Sequence, residues 1–228
     1  MALRSILIKT RISQKCVYPF TALFSNSSIE TINKNEENSE NWKKELHATM
    51  KIFPDFLTQQ EEDSILKEMD PYLKRLRYEF SHWDNAIHGY RETERAKWNE
   101  ENTKIIDKVR TKAFPPGTPQ LAYVHVLDLS AEGWIKPHVD SIRFCGDVIA
   151  GISLLSDCVM RLSSVEKEDR KEDFFLPRRS LYIMSGLARQ KYNHEVLSAA
   201  ESIFQGKKVP RARRISVICR TEPDPQVD

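Results

Sequence analysis

His138-Val139-Asp140 is the first place where residue types and spacing suggest chemistry. On a strand, positions i and i+2 project to one side, so His138 and Asp140 would bring an imidazole and a carboxylate to one point. His194, 54 residues after Asp140, offers a second imidazole. Two histidines and one carboxylate form the facial triad that holds non-haem iron(II), with three positions left open for cosubstrate and oxygen. H-x-D tripeptides are common by chance, and the competing reading of each histidine is a satisfied core side chain.

A second feature changes that balance. In Arg214-Ile-Ser-Val-Ile-Cys-Arg220, the residues Arg214, Ser216, Ile218 and Arg220 share one strand face, while Ile215, Val217 and Cys219 line the other. The stretch is apolar enough for a strand covered on both faces. Two arginines facing inward need an anionic partner, because an isolated buried charge is very costly. Bidentate pairing with carboxylates is the strong form of that contact, and 2-oxoglutarate is a small dicarboxylate that fits. An edge strand with a solvated Arg/Ser face is the alternative.

The ordered series H-x-D, His, R-x5-R is more specific than its parts. It resembles the AlkB family of iron(II)- and 2-oxoglutarate-dependent dioxygenases. The runs IKPHVDSIRFCGDVIAGISLL and RRISVICR are most similar to the family's mitochondrial branch, and the resemblance spans residues 50–222. The resemblance implies a double-stranded β-helix, with His138, Asp140 and His194 on iron(II) and with 2-oxoglutarate and O2 as cosubstrates. It implies Arg214 on the distal carboxylate of 2-oxoglutarate, and Arg220 near the metal-chelating end or the substrate. Ser216 would add a hydrogen bond. Tyr182, 12 residues before His194, matches a family tyrosine that contacts the cosubstrate; a packed core aromatic is the competing reading. Retention of Asp140 argues for hydroxylation, which becomes demethylation where the oxidised carbon is an N-methyl group.

For the substrate, the resemblance implies a reduced lid, a wide solvent-open site and a protein rather than duplex DNA, with a role in mitochondrial metabolism and regulated cell death. Demethylation of mitochondrial RNA is the alternative, and a non-enzymatic jelly-roll binding module is a third reading. The stretch from Arg77 to Trp98 carries Tyr78, Phe80, Trp83, Tyr90 and Trp98, but Asp84, Glu92 and Glu94 offset its basic residues, and packing is the simpler use of these rings. Lys207, Lys208, Arg211, Arg213 and Arg214 form one concentrated basic run, read mainly as a solvated loop leading into the last strand. His82, His88 and His125 are read as structural.

The elements that must position these residues are α+β, helices first and short strands later. Thr58-Gln-Gln-Glu61 has the form of a capping box, followed by Ile65, Leu66 and Met69 at helical spacing. Asp70-Pro71 is expected to close that helix and open another. A further helix is expected from Glu100 to Phe114, stopped by Pro115, Pro116, Gly117 and Pro119. Beyond residue 120, β-rich runs cover 120–129, 147–155, 158–162, 180–184 and 214–220. Ser156-Asp157 sits where a tight hairpin would, and Glu166 to Asp173 reads as a solvated loop between strands. The expected core is a jelly roll with supporting N-terminal helices, in a domain over residues 46–222, with a tail at 223–228.

No acidic residue precedes Glu30, while Arg4, Lys9, Arg11 and Lys15 interleave with apolar and hydroxyl residues. That composition is expected of a mitochondrial transit peptide over 1–29, with a polar linker at 30–45 and a matrix location. Thirty-five basic and 33 acidic residues give a net charge of +2, so no global basic field drives nucleic-acid binding. The four cysteines include no CxxC pair, which argues against a disulfide framework. No apolar run approaches the length of a membrane span.

Overall fold

A computed structural model describes residues 41–81 and 86–225. The expected transit peptide, most of the linker, His82, Trp83, Asp84 and residues 226–228 lie outside the described residues. Helix α1 occupies 41–49, so residues 41–45, read as linker, belong to the fold, with Trp42 and Leu46 buried. Strand β1 (Met50–Phe53) follows. Helix α2 (Gln59–Leu73) opens on the expected capping box, where Thr58 Oγ1 accepts from the Glu61 amide and Glu61 Oε2 accepts from the Thr58 amide. Pro71 does not end α2 or open another helix. It lies in the last turn, where one intrahelical donor is lost, and Asp70 turns its carboxylate to Arg213 (2.8 Å) and Lys74 (2.9 Å) instead of capping.

Strand β2 (Ile87–Arg95) comes next, then α3 (Glu100–Ala113), capped by the Asn99 side chain. The remaining elements are β3 (Val124–His138), β4 (Val148–Leu154), β5 (Cys158–Ser164), β6 (Lys171–Leu176), β7 (Leu181–Ser185), α4 (Gly186–Gln190), β8 (Tyr192–Val196), a small hairpin of β9 (Ile203–Phe204) with β10 (Lys207–Lys208), and β11 (Arg214–Arg220). Hydrogen bonding runs in the order β1-β7-β4-β11-β3-β8-β5-β6, with β2 also on β3, and every pairing is antiparallel. This is the expected jelly roll. Its two leaves meet only at β3 along that order. The early part of β3 pairs with β11 through residues 125–129, and its late part pairs with β8 through Ile135 and His138.

Ser156-Asp157 is not a hairpin turn. β4 pairs with β7 and β11, whereas β5 pairs with β6 and β8, so the turn carries the chain from one leaf to the other. Leu155, at φ 72°, takes the left-handed backbone of that sharp crossing. The charged run is a loop only to Arg170; Lys171, Glu172 and Asp173 begin β6, an outer strand where charge discourages further pairing.

Alternation on the strands builds two large apolar clusters, beside a small one of Val159, Leu197 and Val209. Leu127, Leu129, Met160, Tyr182 and Ile218 face into the roll. Val126, Ile152, Ile215 and Val217 face outward against Ile65 and Met69 of α2 and Ile105 and Val109 of α3. Cys145, Cys158 and Cys219 are buried free thiols. Among the described residues no helix is long and apolar enough to cross a membrane.

A buried ion network fixes β2. Asp128 of β3 is fully buried and accepts from Arg91 Nε (2.7 Å), Arg213 Nη2 (2.7 Å) and Tyr78 Oη (3.1 Å). The basic run is therefore no solvated loop. Arg213 joins this network, Arg211 donates to the carbonyls of Leu197 and Gly133, and Arg214 is buried; only Lys207 and Lys208 are exposed. Of the ring cluster, Tyr90 packs in the core, Tyr78 lies against Arg91, and Phe80 is exposed beside His88.

Candidate active site

His138 is the last residue of β3 and stands directly across from His194 of β8, their ring centroids 4.2 Å apart. Asp140 lies beyond the end of the strand. The convergence of the H-x-D pair therefore comes from the turn at the strand end, not from strand alternation. One ligand atom from each of His138, Asp140 and His194 lies within 4.8 Å of the others.

The donor set suits a cation. The carbonyl of Lys136 can only accept, so the His138 Nδ1 at 2.9 Å carries the ring proton and Nε2 keeps its lone pair. That lone pair faces Asp140 Oδ1 at 3.2 Å, and His194 Nε2 lies 3.6 Å from the same oxygen. Burial opposes ionisation of Asp140, but its polar and charged neighbours His138, His194 and Arg220 outweigh it and hold the carboxyl well below its ordinary range. Burial, reinforced by His138, pushes His194 down to about 3. Ionised carboxylate and neutral imidazole are the states in which these groups bind metal.

The same cavity, about 530 Å³, is lined by Tyr182, Arg214, Ser216 and Arg220. β11 is central, so Arg214 and Ser216 are 1% and 2% exposed. Arg214 Nε donates to Ser153 Oγ at 2.9 Å, while Nη2 is buried without a hydrogen-bond partner among the described residues. A buried guanidinium donor left open in a cavity suits a carboxylate ligand. Tyr182 of β7 faces Gly151 of β4, and a Cβ at Gly151 would collide with its ring. The glycine makes room for the phenol, whose pKa burial raises despite the opposing charge of Arg214. Arg220, at the mouth end of β11, places Nη2 3.4 Å from Asp140 Oδ2.

All seven residues singled out from the sequence thus line one cavity. Three neighbours were given no part in the site: His125, read as structural though on a strand that could face the cavity, Glu92 and Cys145. His125 Nε2 lies 2.8 Å from Glu92 Oε2, and His125 Nδ1 is 3.3 Å from both terminal nitrogens of Arg220. Cys145 Sγ lies 3.9 Å from Asp140 Oδ2. The one available signal was that His125 shares a strand face with Leu127 and Leu129; its partner Glu92 depends on a strand register that local sequence does not hold.

The model of the 2OG-Fe(II) oxygenase superfamily matches residues 49–220. A protein of Mus musculus, alpha-ketoglutarate-dependent dioxygenase alkB homolog 7, mitochondrial, is 50% identical over 173 residues, covering 76% of this chain and 78% of its own. The Bos taurus protein of the same name is 50% identical with the same coverage. Among solved structures, OsALKBH1 has a TM-score of 0.55 at 15% identity, covering 75% of this chain and 97% of that one. A Trichoplax adhaerens prolyl hydroxylase in complex with a hypoxia inducible factor peptide fragment also has a TM-score of 0.55, at 13% identity, covering 85% and 93%. At such identities these two structures bear on the fold alone. The chain belongs to the 2OG-Fe(II) oxygenase superfamily, as an AlkB-like, mitochondrial dioxygenase that uses iron(II), 2-oxoglutarate and O2.

Proposed function

We propose that His138, Asp140 and His194 hold the iron(II), that Arg214, Ser216 and Tyr182 bind the distal carboxylate of 2-oxoglutarate, and that Arg220 stands at its metal-chelating end. The observation that carries this reading is one cavity holding both a His/Asp/His cluster and a buried arginine with an unpartnered donor. Bound iron(II) with 2-oxoglutarate supplies O2-dependent oxidation of a substrate C–H, with decarboxylation to succinate. The chain's part is binding and orientation. Arg214 and Ser216 fix one end of the dicarboxylate from a rigid central strand, and the apolar walls Leu127, Ile149, Met160 and Ile218 limit water around it.

The substrate is a residue of a matrix protein, hydroxylated or, at an N-methyl group, demethylated, with residues 1–29 serving for import. Three features support protein over RNA. The basic run is largely absorbed into structural contacts. The cavity wall on β2 presents Glu92 and Glu94, whose charge opposes a phosphate backbone, and exposed Phe144 at the rim suits an apolar side chain.

Anaerobic titration with iron(II) and then 2-oxoglutarate, followed by charge-transfer absorption, tests the site. A band in the native chain that Asp140→Ala abolishes is the expected result, and no band from folded protein overturns the assignment. Succinate release stimulated by matrix protein and not by mitochondrial RNA supports the protein substrate; the reverse overturns it.

A further inference from the structure

Beyond the three ligands and the dicarboxylate clamp, the cavity wall holds a continuous polar chain, Glu92–His125–Arg220–Asp140. The two links through His125 follow from strand register. His125 of β3 stands opposite Ile218 of β11, which puts Arg220 on the same face as its diagonal neighbour. On its other side His125 stands opposite Glu94 of β2, with Glu92 as the diagonal neighbour. His125 is 14% exposed at its side chain, Arg220 20% and Asp140 17%, whereas Glu92, at 34%, forms the more open end of the chain.

Hydrogen-bonding capacity sets the direction of every link. An ionised carboxylate only accepts, so the 2.8 Å contact with Glu92 Oε2 assigns the ring proton of His125 to Nε2. His125 Nδ1 then carries a lone pair, the form it needs to accept from Arg220 Nη1 and Nη2, both at 3.3 Å. A guanidinium only donates, and Nη2 also reaches Asp140 Oδ2 at 3.4 Å. Asp140 Oδ1 is the oxygen turned to His138 and His194. Arg220 is thus held between two acceptors, one of them on the second oxygen of the triad carboxylate.

We propose that Glu92 and His125 are positioning residues: Glu92 fixes the His125 tautomer, and His125 holds Arg220 against Asp140 Oδ2, leaving Oδ1 alone for the metal. This inference rests on the site assignment above. Without the Nδ1 acceptor the guanidinium loses one of its two anchors and turns toward the cavity mouth, so both the orientation of Asp140 and the charge facing 2-oxoglutarate change.

The test is the anaerobic iron(II) and 2-oxoglutarate titration on the full chain, reading the affinity for 2-oxoglutarate and the position of the charge-transfer band. Four variants join the native protein: His125→Phe, His125→Asn, Glu92→Gln and the double variant His125→Asn/Glu92→Gln. Unfolding midpoints are measured for each. Phenylalanine removes the acceptor. The amide of Glu92→Gln can either accept from or donate to Nε2, so it no longer fixes which ring nitrogen carries the proton and faces Arg220. Both variants are expected to weaken 2-oxoglutarate binding about tenfold, the usual scale for a group supporting a metal ligand, and to move the band.

Asparagine places an amide oxygen near the position of Nδ1 and has no tautomer to fix. His125→Asn should therefore keep native binding and band position, and adding Glu92→Gln to it should change nothing further. Native affinity and band position in His125→Phe and Glu92→Gln would overturn the inference while leaving the site assignment standing. Equal losses in all four variants, tracking their unfolding midpoints, would reduce the pair to packing and also overturn it. Absence of the band in the native chain would remove the site assignment and this inference together.

Discussion

Replacing Arg214 by methionine should make the ligand-free protein more stable and the ligand-loaded protein relatively weaker. Arg214 is 1% exposed, and among the described residues its hydrogen-bond partner is a neutral hydroxyl, Ser153 Oγ. Its Nη2 is a buried donor without an acceptor, a defect of about 1–3 kcal/mol. Methionine fills comparable apolar volume and removes both the charge and the orphan donor. It also strips Ser153 of one partner, which costs about 1 kcal/mol. Substituting an apolar side chain for a buried ion is often neutral or stabilising by about 1–4 kcal/mol, so a net gain of about 1–2 kcal/mol is expected. At about 2–4 °C per kcal/mol for a domain of this size, the metal-free Tm should rise by about 2–8 °C.

The loaded protein should behave oppositely. With iron(II) under anaerobic conditions and 2-oxoglutarate at about a hundred times its Kd, the native chain gains about 2.7 kcal/mol from binding. That corresponds to an upward shift of about 5–11 °C, and Arg214→Met should lose it. The assay is thermal unfolding with and without 2-oxoglutarate, supported by urea midpoints. A variant less stable than native when empty that still shows the native shift would refute the reasoning, because Arg214 would then be a packing residue and not a carboxylate clamp.

Gly151→Ala should drive a methyl group into the Tyr182 ring, lowering stability by about 1–3 kcal/mol on urea denaturation and weakening 2-oxoglutarate binding; unchanged binding would separate Tyr182 from the cosubstrate. Asp128→Ala should cost about 3–5 kcal/mol in urea denaturation, since it takes the carboxylate from Arg91 and leaves Arg213 with Asp70 alone; a loss below about 1 kcal/mol would show the network to be dispensable. Burial pushes the Cys219 thiol up to about 11, so in folded protein at pH 8 alkylation followed by mass spectrometry should leave it unmodified, and rapid labelling would contradict that burial.

The site was more legible in the sequence than the frame that holds it. Arg214, Ser216 and Arg220 announce themselves because a period of two is local and a central strand enforces it. The capping box at Thr58 was legible for the same reason, since both of its hydrogen bonds close within three residues. The His138/Asp140 pair was found, but through a strand geometry it does not have. β2 escaped notice because IHGYRETER looks solvated until Asp128, far along the chain, is paired with Arg91. Pro71 and Ser156-Asp157 misled because each is a strong local signal overridden from outside: by Arg213 drawing Asp70 away, and by a crossing between leaves. Glu92 and His125 show the same limit, since cross-strand register is a property of the folded sheet.

The long strand β3 carries a consequence of another kind. Its late end presents His138, its early part is laced to the strand bearing Arg214, and between them the register against β2 slips at Gly89, whose φ is 65°. The span from the imidazole pair to the arginine clamp is therefore a curvature written into one stretch of main chain. Side chains on the outer faces can drift through evolution without altering that span, whereas a single inserted or deleted residue between 129 and 135 would shift every later position of β3 to the opposite face. Length there is under tighter constraint than composition, and variation among descendants of this chain should fall on the rim, where substrates are chosen, long before it reaches the spacing of the two halves of the site.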